Sequence, residues 1–151
     1  MSDHIARLRW RRQTPDFDLK TYNRDLEASF KGGKPIKMSA SLAYKGSADA
    51  IDPEEMLVGA IASCHMLSFL ALAAGRKLVV DSYEDDATGA LEKNADGRLA
   101  VTRVTLRPNV IFSGAKPDAS VLDELHHKAH EACFIANSVK CEITIETPVH
   151  A

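Results

Sequence analysis

The feature that most constrains this chain is the stretch 52–75, DPEEMLVGAIASCHMLSFLALAAG. Asp52 can cap a helix by accepting the backbone N–H of Glu55, and Pro53 fits the first helical position, where no donor is needed. Gly75 predicts a helix end in the left-handed conformation. Because almost every residue between these ends is apolar or small, the pattern predicts a helix that is buried on all sides.

A cysteine, Cys64, lies in the middle of this helix and is followed by His65. Three other interpretations of the stretch compete with a role in chemistry. The run 56–74 is just long enough to span a bilayer, although its glycine, serines and histidine suit that role poorly. A free cysteine usually only packs, and a histidine here is more often a hydrogen-bonded core residue than a ligand. Our interpretation is that the helix holds the Cys64 thiol.

The composition predicts one soluble domain over 1–151. The chain is 45% apolar and 26% charged, and its net charge of −2 gives no basic footprint for nucleic acid. The N-terminal sequence has no apolar signal region, and three cysteines do not make a disulfide framework. We therefore expect a protein of the reducing cytoplasm that binds neither nucleic acid nor membrane. In that compartment a cysteine pair is more often redox-active than structural.

The rest of the sequence predicts hairpins and one further helix, from alternating and helical patterns of apolar residues and from turn signals between them. Alternation at 6–10 predicts a half-buried strand, and Gly89 predicts a bulge. The fold class is α+β with antiparallel sheets. In chain order, the predicted elements are a strand at 6–10, a loop at 14–21, a hairpin of strands 25–30 and 36–41, the helix at 52–75, strands at 77–93 and 98–112, a helix at 119–136 and a strand at 139–146.

Two cysteines on two buried helices are the sharpest chemical signal. Cys133 lies on or beside the apolar stripe of the second helix, whereas Cys141 faces the core from the last strand and is best interpreted as a small hydrophobe. A pair of thiols can close to a disulfide after the first becomes a sulfenic acid. That chemistry needs a nearby cation to favour the thiolate, and an arginine would suit.

Metal binding is an alternative use of the same region. His126 and His130 share a helix face at i, i+4 spacing, and Cys133 follows at i+3 from His130. Cys64 or its neighbour His65 could complete four ligands, as zinc requires. Such spacing arises easily by chance, and histidines on the surface of an amphipathic helix remain the competing interpretation.

The motif D-P-E-E-x-L-V-x-A-x-x-S-C-H-M resembles the OsmC/Ohr family, the osmotically inducible and organic hydroperoxide resistance proteins. The family pattern places a cysteine ten residues after the first glutamate, which here gives Glu54 and Cys64. Its second cysteine matches Cys133 in HEACFIANSVK, and its arginine matches Arg24, with Gly33 nine residues later. The resemblance covers about 24–146.

Three positions depart from the family pattern. Asn23 and Leu26 stand beside the arginine where the family has glycines, and Phe134 follows the second cysteine where a proline is frequent. These departures concern substrate preference and the arginine assignment more than the thiol chemistry.

The resemblance implies an OsmC-like fold, with antiparallel sheets around two central helices in an intertwined homodimer. It implies a thiol peroxidase for organic hydroperoxides, without metal or organic cofactor. Cys64 would attack the peroxide, Arg24 would lower the pKa of Cys64, Glu54 would position Arg24, and Cys133 would resolve the sulfenic acid. A dithiol such as dihydrolipoamide, free or on a lipoylated protein, would be the reductant. The alternative from another class is a small-ligand or metal-binding module that uses His126, His130, Cys133 and Cys64.

Overall fold

The structure, a computed structural model, describes residues 3–148 of the chain. The described part contains eight strands and two α-helices, with short 3-10 turns at Leu42–Tyr44 and Ala136–Ser138. The helices are α1 (Pro53–Gly75) and α2 (Ala119–Ala132). The strands are β1 (Arg7–Arg9), β2 (Leu26–Ser29), β3 (Pro35–Met38), β4 (Val80–Asp85), β5 (Thr88–Lys93), β6 (Leu99–Leu106), β7 (Pro108–Phe112) and β8 (Glu142–Ile145). The α+β class is therefore confirmed.

The chain divides into two compact units, 1–56 and 57–151. In the first unit, β1, β2 and β3 form an antiparallel sheet in that order. The predicted hairpin is confirmed as β2–β3. A strand at 6–10 is also present as β1, but its predicted half-burial is wrong, since Leu8 and Trp10 are both exposed. Among residues 3–148, β1 is a three-residue edge strand that pairs only with β2, so packing does not enforce its alternation.

The start of α1 is confirmed in detail. The backbone N–H of Glu55 donates to Oδ1 of Asp52 at 2.8 Å, and the N–H of Asp52 donates to Oε2 of Glu55 at 3.0 Å. These reciprocal bonds are a capping box, which satisfies two donors that the first helical turn leaves free. Pro53 is the first helical residue, as its missing N–H allows.

The end of α1 differs from the prediction. Gly75 is the last helical residue, and the left-handed residue is Lys77, with φ 59°. The N–H groups of Lys77 and Leu78 donate to the carbonyls of Ala74 and Ala73, both at 3.0 Å, in a Schellman arrangement. The left-handed residue therefore lies two positions later than predicted, and Leu78, which follows it, packs against the core.

Within one chain α1 is covered on one side only. Every fourth residue is buried, and these are Ile61, His65, Phe69 and Ala73. The opposite stripe of Gly59, Ser63, Leu67 and Ala71 is exposed. The predicted burial on all sides is therefore not reached in a single chain. In the described part of the chain, α1 alone is long and apolar enough to cross a bilayer, a test that core helices of soluble proteins also pass.

The two long strands predicted after α1 are each broken into two. The stretch 77–93 forms β4 and β5 in different sheets, and 98–112 forms β6 and β7. At the corner, the N–H of Arg107 donates to Oδ1 of Asp85 at 2.7 Å, and Pro108 has no donor to continue a ladder. β4 pairs with β7, and β6 lies between β5 and β8. Pairing is antiparallel except for β6 with β8, which is parallel.

Close packing against α1, as well as the irregularity in the strand beside it, explains why position 89 is a glycine. The register of β5 shifts between Ala90 and Leu91, one residue beyond the predicted bulge. A Cβ on Gly89 would lie 2.6 Å from Cγ2 of Val58 on α1. The absent side chain thus allows β5 to approach α1.

Two clusters of buried side chains make the core of the second unit. One joins α1, α2 and β4–β7 through Phe69, Ala73, Leu122, Leu125 and Ala129. The other joins α1 to the β5–β6–β8 sheet through Ile61, Val104 and Leu106. Both clusters lie against the buried stripe of α1, which therefore organises this unit.

Candidate functional site

The two helices of the second unit bring Cys64 and Cys133 together. Cys64 is half-buried in the middle of α1, and Cys133 is the C-cap residue of α2, with 1% of its surface exposed. The helix predicted over 119–136 stops at Ala132, because Cys133 takes an extended backbone conformation. Both thiols are free.

The environment of Cys133 favours the protonated form of its thiol. Burial raises the pKa of the Cys133 thiol, and its hydrogen bond and charge interaction with Cys64 raise it further. The backbone N–H of Ala136, which donates to Sγ of Cys133 at 3.3 Å, acts in the opposite direction. Cys133 is therefore held as a protonated thiol in contact with Cys64.

An apolar cavity of ≈ 500 Å³ opens beside Cys64. Small residues of α1 form one wall, and Leu67, Phe134 and Ile135 supply the larger apolar surfaces. Leu67 is 67% exposed and Phe134 is 79% exposed. The surface next to the half-buried thiol can thus accept an apolar molecule.

Arg24, in the first unit, lies in an aromatic environment. Its guanidinium donates to the carbonyls of Tyr22 at 2.9 Å and Leu19 at 2.7 Å, and stacks 4.2 Å from the centre of the Tyr22 ring. The rings of Trp10 and Phe17 continue this cluster, and a cavity of ≈ 400 Å³ lies among them. The predicted action of Arg24 on Cys64 stays a prediction.

Glu54 lies in the first turn of α1. A negative charge there interacts favourably with the positive N-terminal end of the helix dipole. Glu54 precedes Cys64 by ten residues on the same helix, which corresponds to about 15 Å at the helical rise. A glutamate side chain does not span that length, so Glu54 does not contact the thiol of its own chain directly. Its role as a positioning residue also stays a prediction.

Cys141 lies away from this chemistry in the second core cluster. It is half-buried and packs against the cluster formed by Ile61, Val104 and Leu106. Burial raises the pKa of its thiol, which keeps it protonated. The interpretation of Cys141 as a small core hydrophobe is confirmed.

A histidine pair that the sequence did not predict links α1 to α2. Nε2 of His65 lies 3.1 Å from Nδ1 of His126, and the two rings are parallel to within 6°. The exposed fractions are 1% and 4%, and Phe69 stacks on His126 at 4.5 Å. His65 is thus a hydrogen-bonded core residue, as expected, but the surface interpretation of His126 is wrong. The signal was available, because His126 lies between Leu122 and Ala129 on the apolar stripe.

Burial is the main reason that both imidazoles stay neutral. It lowers the pKa of His65 to about 4, with smaller contributions from His126 and His130. It also lowers the pKa of His126 to about 4, against the opposing effect of Asp123. Within residues 3–148, no three His, Cys, Asp or Glu side chains converge to hold a metal ion. The alternative metal site therefore lacks its ligand set in this arrangement.

The α+β fold, with antiparallel sheets and two helices, is the fold of OsmC-like proteins, and comparison with known proteins shows this class. The family model described as OsmC-like protein matches residues 46–148, so the chain belongs to the OsmC-like protein family. An OsmC-like protein of unknown function from Vibrio cholerae has the same fold, with a TM-score of 0.92 and 44% identity over 97% of this chain and 99% of that one.

More distant relatives share the fold or part of the sequence. OhrB, an organic hydroperoxide resistance protein of Bacillus subtilis, superposes with a TM-score of 0.69 at 18% identity, over 97% of this chain and 98% of that one. Peroxiredoxin OsmC of Escherichia coli (strain K12) is 28% identical over 95 residues, or 63% of this chain. The match spans 64% of that protein's length, less than two thirds.

Proposed function

We propose that this protein is a thiol-dependent peroxidase that reduces organic hydroperoxides. The observation that carries the proposal is the contact between Cys133 and Cys64 beside an apolar cavity. A relative named Peroxiredoxin OsmC and structural neighbours named organic hydroperoxide resistance proteins support it. The composition favours the cytoplasm as its compartment.

The reaction begins with the Cys64 thiolate, which attacks one oxygen of the peroxide. The O–O bond breaks, the thiol sulfur is oxidised to a sulfenic acid, and the departing alkoxide takes up a proton to become an alcohol. Cys133 then attacks the Cys64 sulfur, the S–S bond forms, and the sulfenic hydroxyl leaves as water with the Cys133 proton. A dithiol such as dihydrolipoamide reduces the disulfide by exchange.

The raised pKa of Cys133 fits the order of these steps. A protonated thiol is a poor nucleophile, so Cys133 does not compete for the peroxide. It becomes useful only when a sulfenic acid forms on the neighbouring Cys64. The alkyl part of the substrate would occupy the cavity beside Leu67 and Phe134, where burial of apolar surface favours binding.

We infer that the activating residues act across two copies of the chain. Because Glu54 cannot reach Cys64 along its own helix, we infer an antiparallel α1–α1 contact in a homodimer. In that contact Glu54 of one protomer holds Arg24 near the partner's thiol. The exposed stripe of α1, with Gly59, Ser63 and Ala71, is small enough for two backbones to approach closely. A two-fold contact of this kind is self-complementary.

The test is steady-state turnover of several hydroperoxides with dihydrolipoamide, glutathione and thioredoxin as alternative reductants. We expect turnover of alkyl hydroperoxides with the dithiol, insensitive to a chelator. Cys64→Ser should abolish it, and Cys133→Ser should permit one oxidation without recycling. Absence of peroxide consumption by the wild-type protein with every reductant would refute the proposal.

A further inference from the structure

The buried histidine pair lies between the helices that carry the thiols, but the peroxidase chemistry does not use it directly. When one of the two facing nitrogens carries its hydrogen and the other does not, that N–H donates a hydrogen bond across 3.1 Å. Nδ1 of His65 then has no hydrogen-bond partner among residues 3–148, although it is buried. A buried polar atom without a partner is a cost that two apolar side chains would avoid. The pair therefore calls for an explanation other than simple packing.

The same two helices place the pair and the thiols in a fixed relation. His65 follows Cys64 directly on α1. His126 and Cys133 are seven residues apart, about two helical turns, so they project from the same side of α2. The hydrogen bond joins α1 to α2 directly, next to the apolar contacts between the two helices. A disulfide depends on this geometry, since the two Cα atoms must lie within roughly 7 Å.

We propose that the neutral His65–His126 pair positions Cys133 against Cys64 for disulfide formation, and that protonation of the pair releases this contact. The proposal rests on the proposed function in that the disulfide is the oxidised product of the peroxidase cycle. The histidines are positioning residues, because they act on the reaction only through the two helices.

The surroundings of the pair explain why protonation releases it. Phe69 covers His126, and Tyr83 lies behind Phe69 with a pKa raised by burial, so it supplies no negative charge. His130 disfavours a charge on His65, and Asp123 only partly favours one on His126. A proton is therefore bound far more readily by the separated helices than by the packed ones.

The size of this effect follows from the difference in histidine pKa between the packed and the separated helices. Each histidine has a pKa of about 4 in the packed state and 6.5 in the open state. Separation of the two helices therefore becomes more favourable as the pH falls between these values. From pH 7 to pH 5, the open population rises about 20-fold for each histidine that must be neutral in the packed state.

The first experiment measures thiol positioning without peroxide. Diamide takes two electrons and two protons from a pair of thiols, forming a disulfide and a hydrazine. At neutral pH, His126→Ala should slow the Cys64–Cys133 disulfide by at least about tenfold, because misplacement by 1 Å is enough to cost that much. His126→Asn, which keeps a polar atom near Nδ1, should stay close to wild type. His127→Gln is the matched control, since His127 is an exposed neighbour on α2.

The second experiment measures release by acid. A dipyridyl disulfide labels Cys133 at pH 7 and pH 5, and each rate is divided by that of the urea-unfolded chain at the same pH. The wild-type protein and His127→Gln should show the rise of about 20-fold or more from pH 7 to pH 5. The double variant His65→Gln, His126→Asn should show little rise. If it fails to fold, each single variant should lose part of the rise.

The outcomes separate this proposal from the proposed function. Equal disulfide rates in His126→Ala and wild type, or an undiminished acid response in the variants without the pair, would overturn the positioning role. If peroxide forms no sulfenic acid on Cys64 while the diamide and labelling results hold, the peroxidase proposal fails and the positioning role stands.

Discussion

The free energy of unfolding should fall steeply between pH 6.5 and pH 4, and this fall tests the electrostatics of the helix interface. Burial holds the pKa of both His65 and His126 at about 4, below the ordinary value of 6.5. The unfolded chain therefore binds more protons than the folded chain within this window. Stability is fully present above pH 6.5 and is lost as the pH falls toward 4.

The structure sets the size of the effect. One pKa unit corresponds to about 1.36 kcal/mol, so lowering the pH from 7.5 to 5 costs about 2 kcal/mol for each of the two histidines. A loss of about 4 kcal/mol is a large part of the usual 5–15 kcal/mol of a folded domain. The carboxyls with lowered pKa, Asp25, Asp49 and Glu124, lose their contribution only at more acidic pH. Burial raises the pKa of Asp85, which acts in the opposite sense.

The assay is urea unfolding followed by circular dichroism at several pH values between 7.5 and 5, at one protein concentration. His126→Asn should lose about half of the pH dependence and the double variant with His65→Gln nearly all of it, since linkage counts each titrating group separately. His127→Gln should behave as wild type, because its ring is exposed beside Glu131. A wild-type midpoint that does not move between pH 7.5 and pH 5 would refute the reasoning.

Three further predictions follow from single positions. Cys141→Ser should leave turnover near wild type while Cys64→Ser abolishes it; loss of activity in a folded Cys141→Ser protein would contradict its purely structural role. Lys77→Gly should raise the unfolding free energy by about 1 kcal/mol, measured by urea denaturation, because glycine adopts the left-handed conformation without strain. Gly89→Ala should lower it by about 1–3 kcal/mol through the clash with Val58, and Val58→Ala in the same chain should recover part of the loss.

Local chemistry made α1 and its cap predictable. The two residues of the capping box are three positions apart, so the whole signal lies within one helical turn of the sequence. The break between β4 and β5 was not predictable in the same way. It depends on Asp85 accepting the N–H of Arg107, a contact between residues 22 apart in sequence. The alternation of Leu78, Val80 and Ser82 covers only the start of 77–93, so it does not locate the corner.

The candidate site shows the same division. The thiol pair was predictable because a motif and a family resemblance both point to Cys64 and Cys133. The histidine pair was not, because each histidine alone is ambiguous and their contact joins residues 61 apart in sequence. The apolar stripe of α2 showed that His126 could be buried, but only the packing of α1 on α2 identifies its partner.

The position of Cys64 on α1 connects these observations. His65 turns toward the core of its own chain, whereas Ser63 belongs to the exposed stripe. Cys64 lies between them, at the boundary of the two faces, with contact to Cys133 on one side and the open cavity on the other. In the proposed reaction, a sulfenic acid on Cys64 would react with Cys133 of the same chain, and the peroxide would reach Cys64 through the open cavity. In the proposed reaction, a second copy of α1 packed on the exposed stripe would border the route by which a peroxide reaches the sulfur.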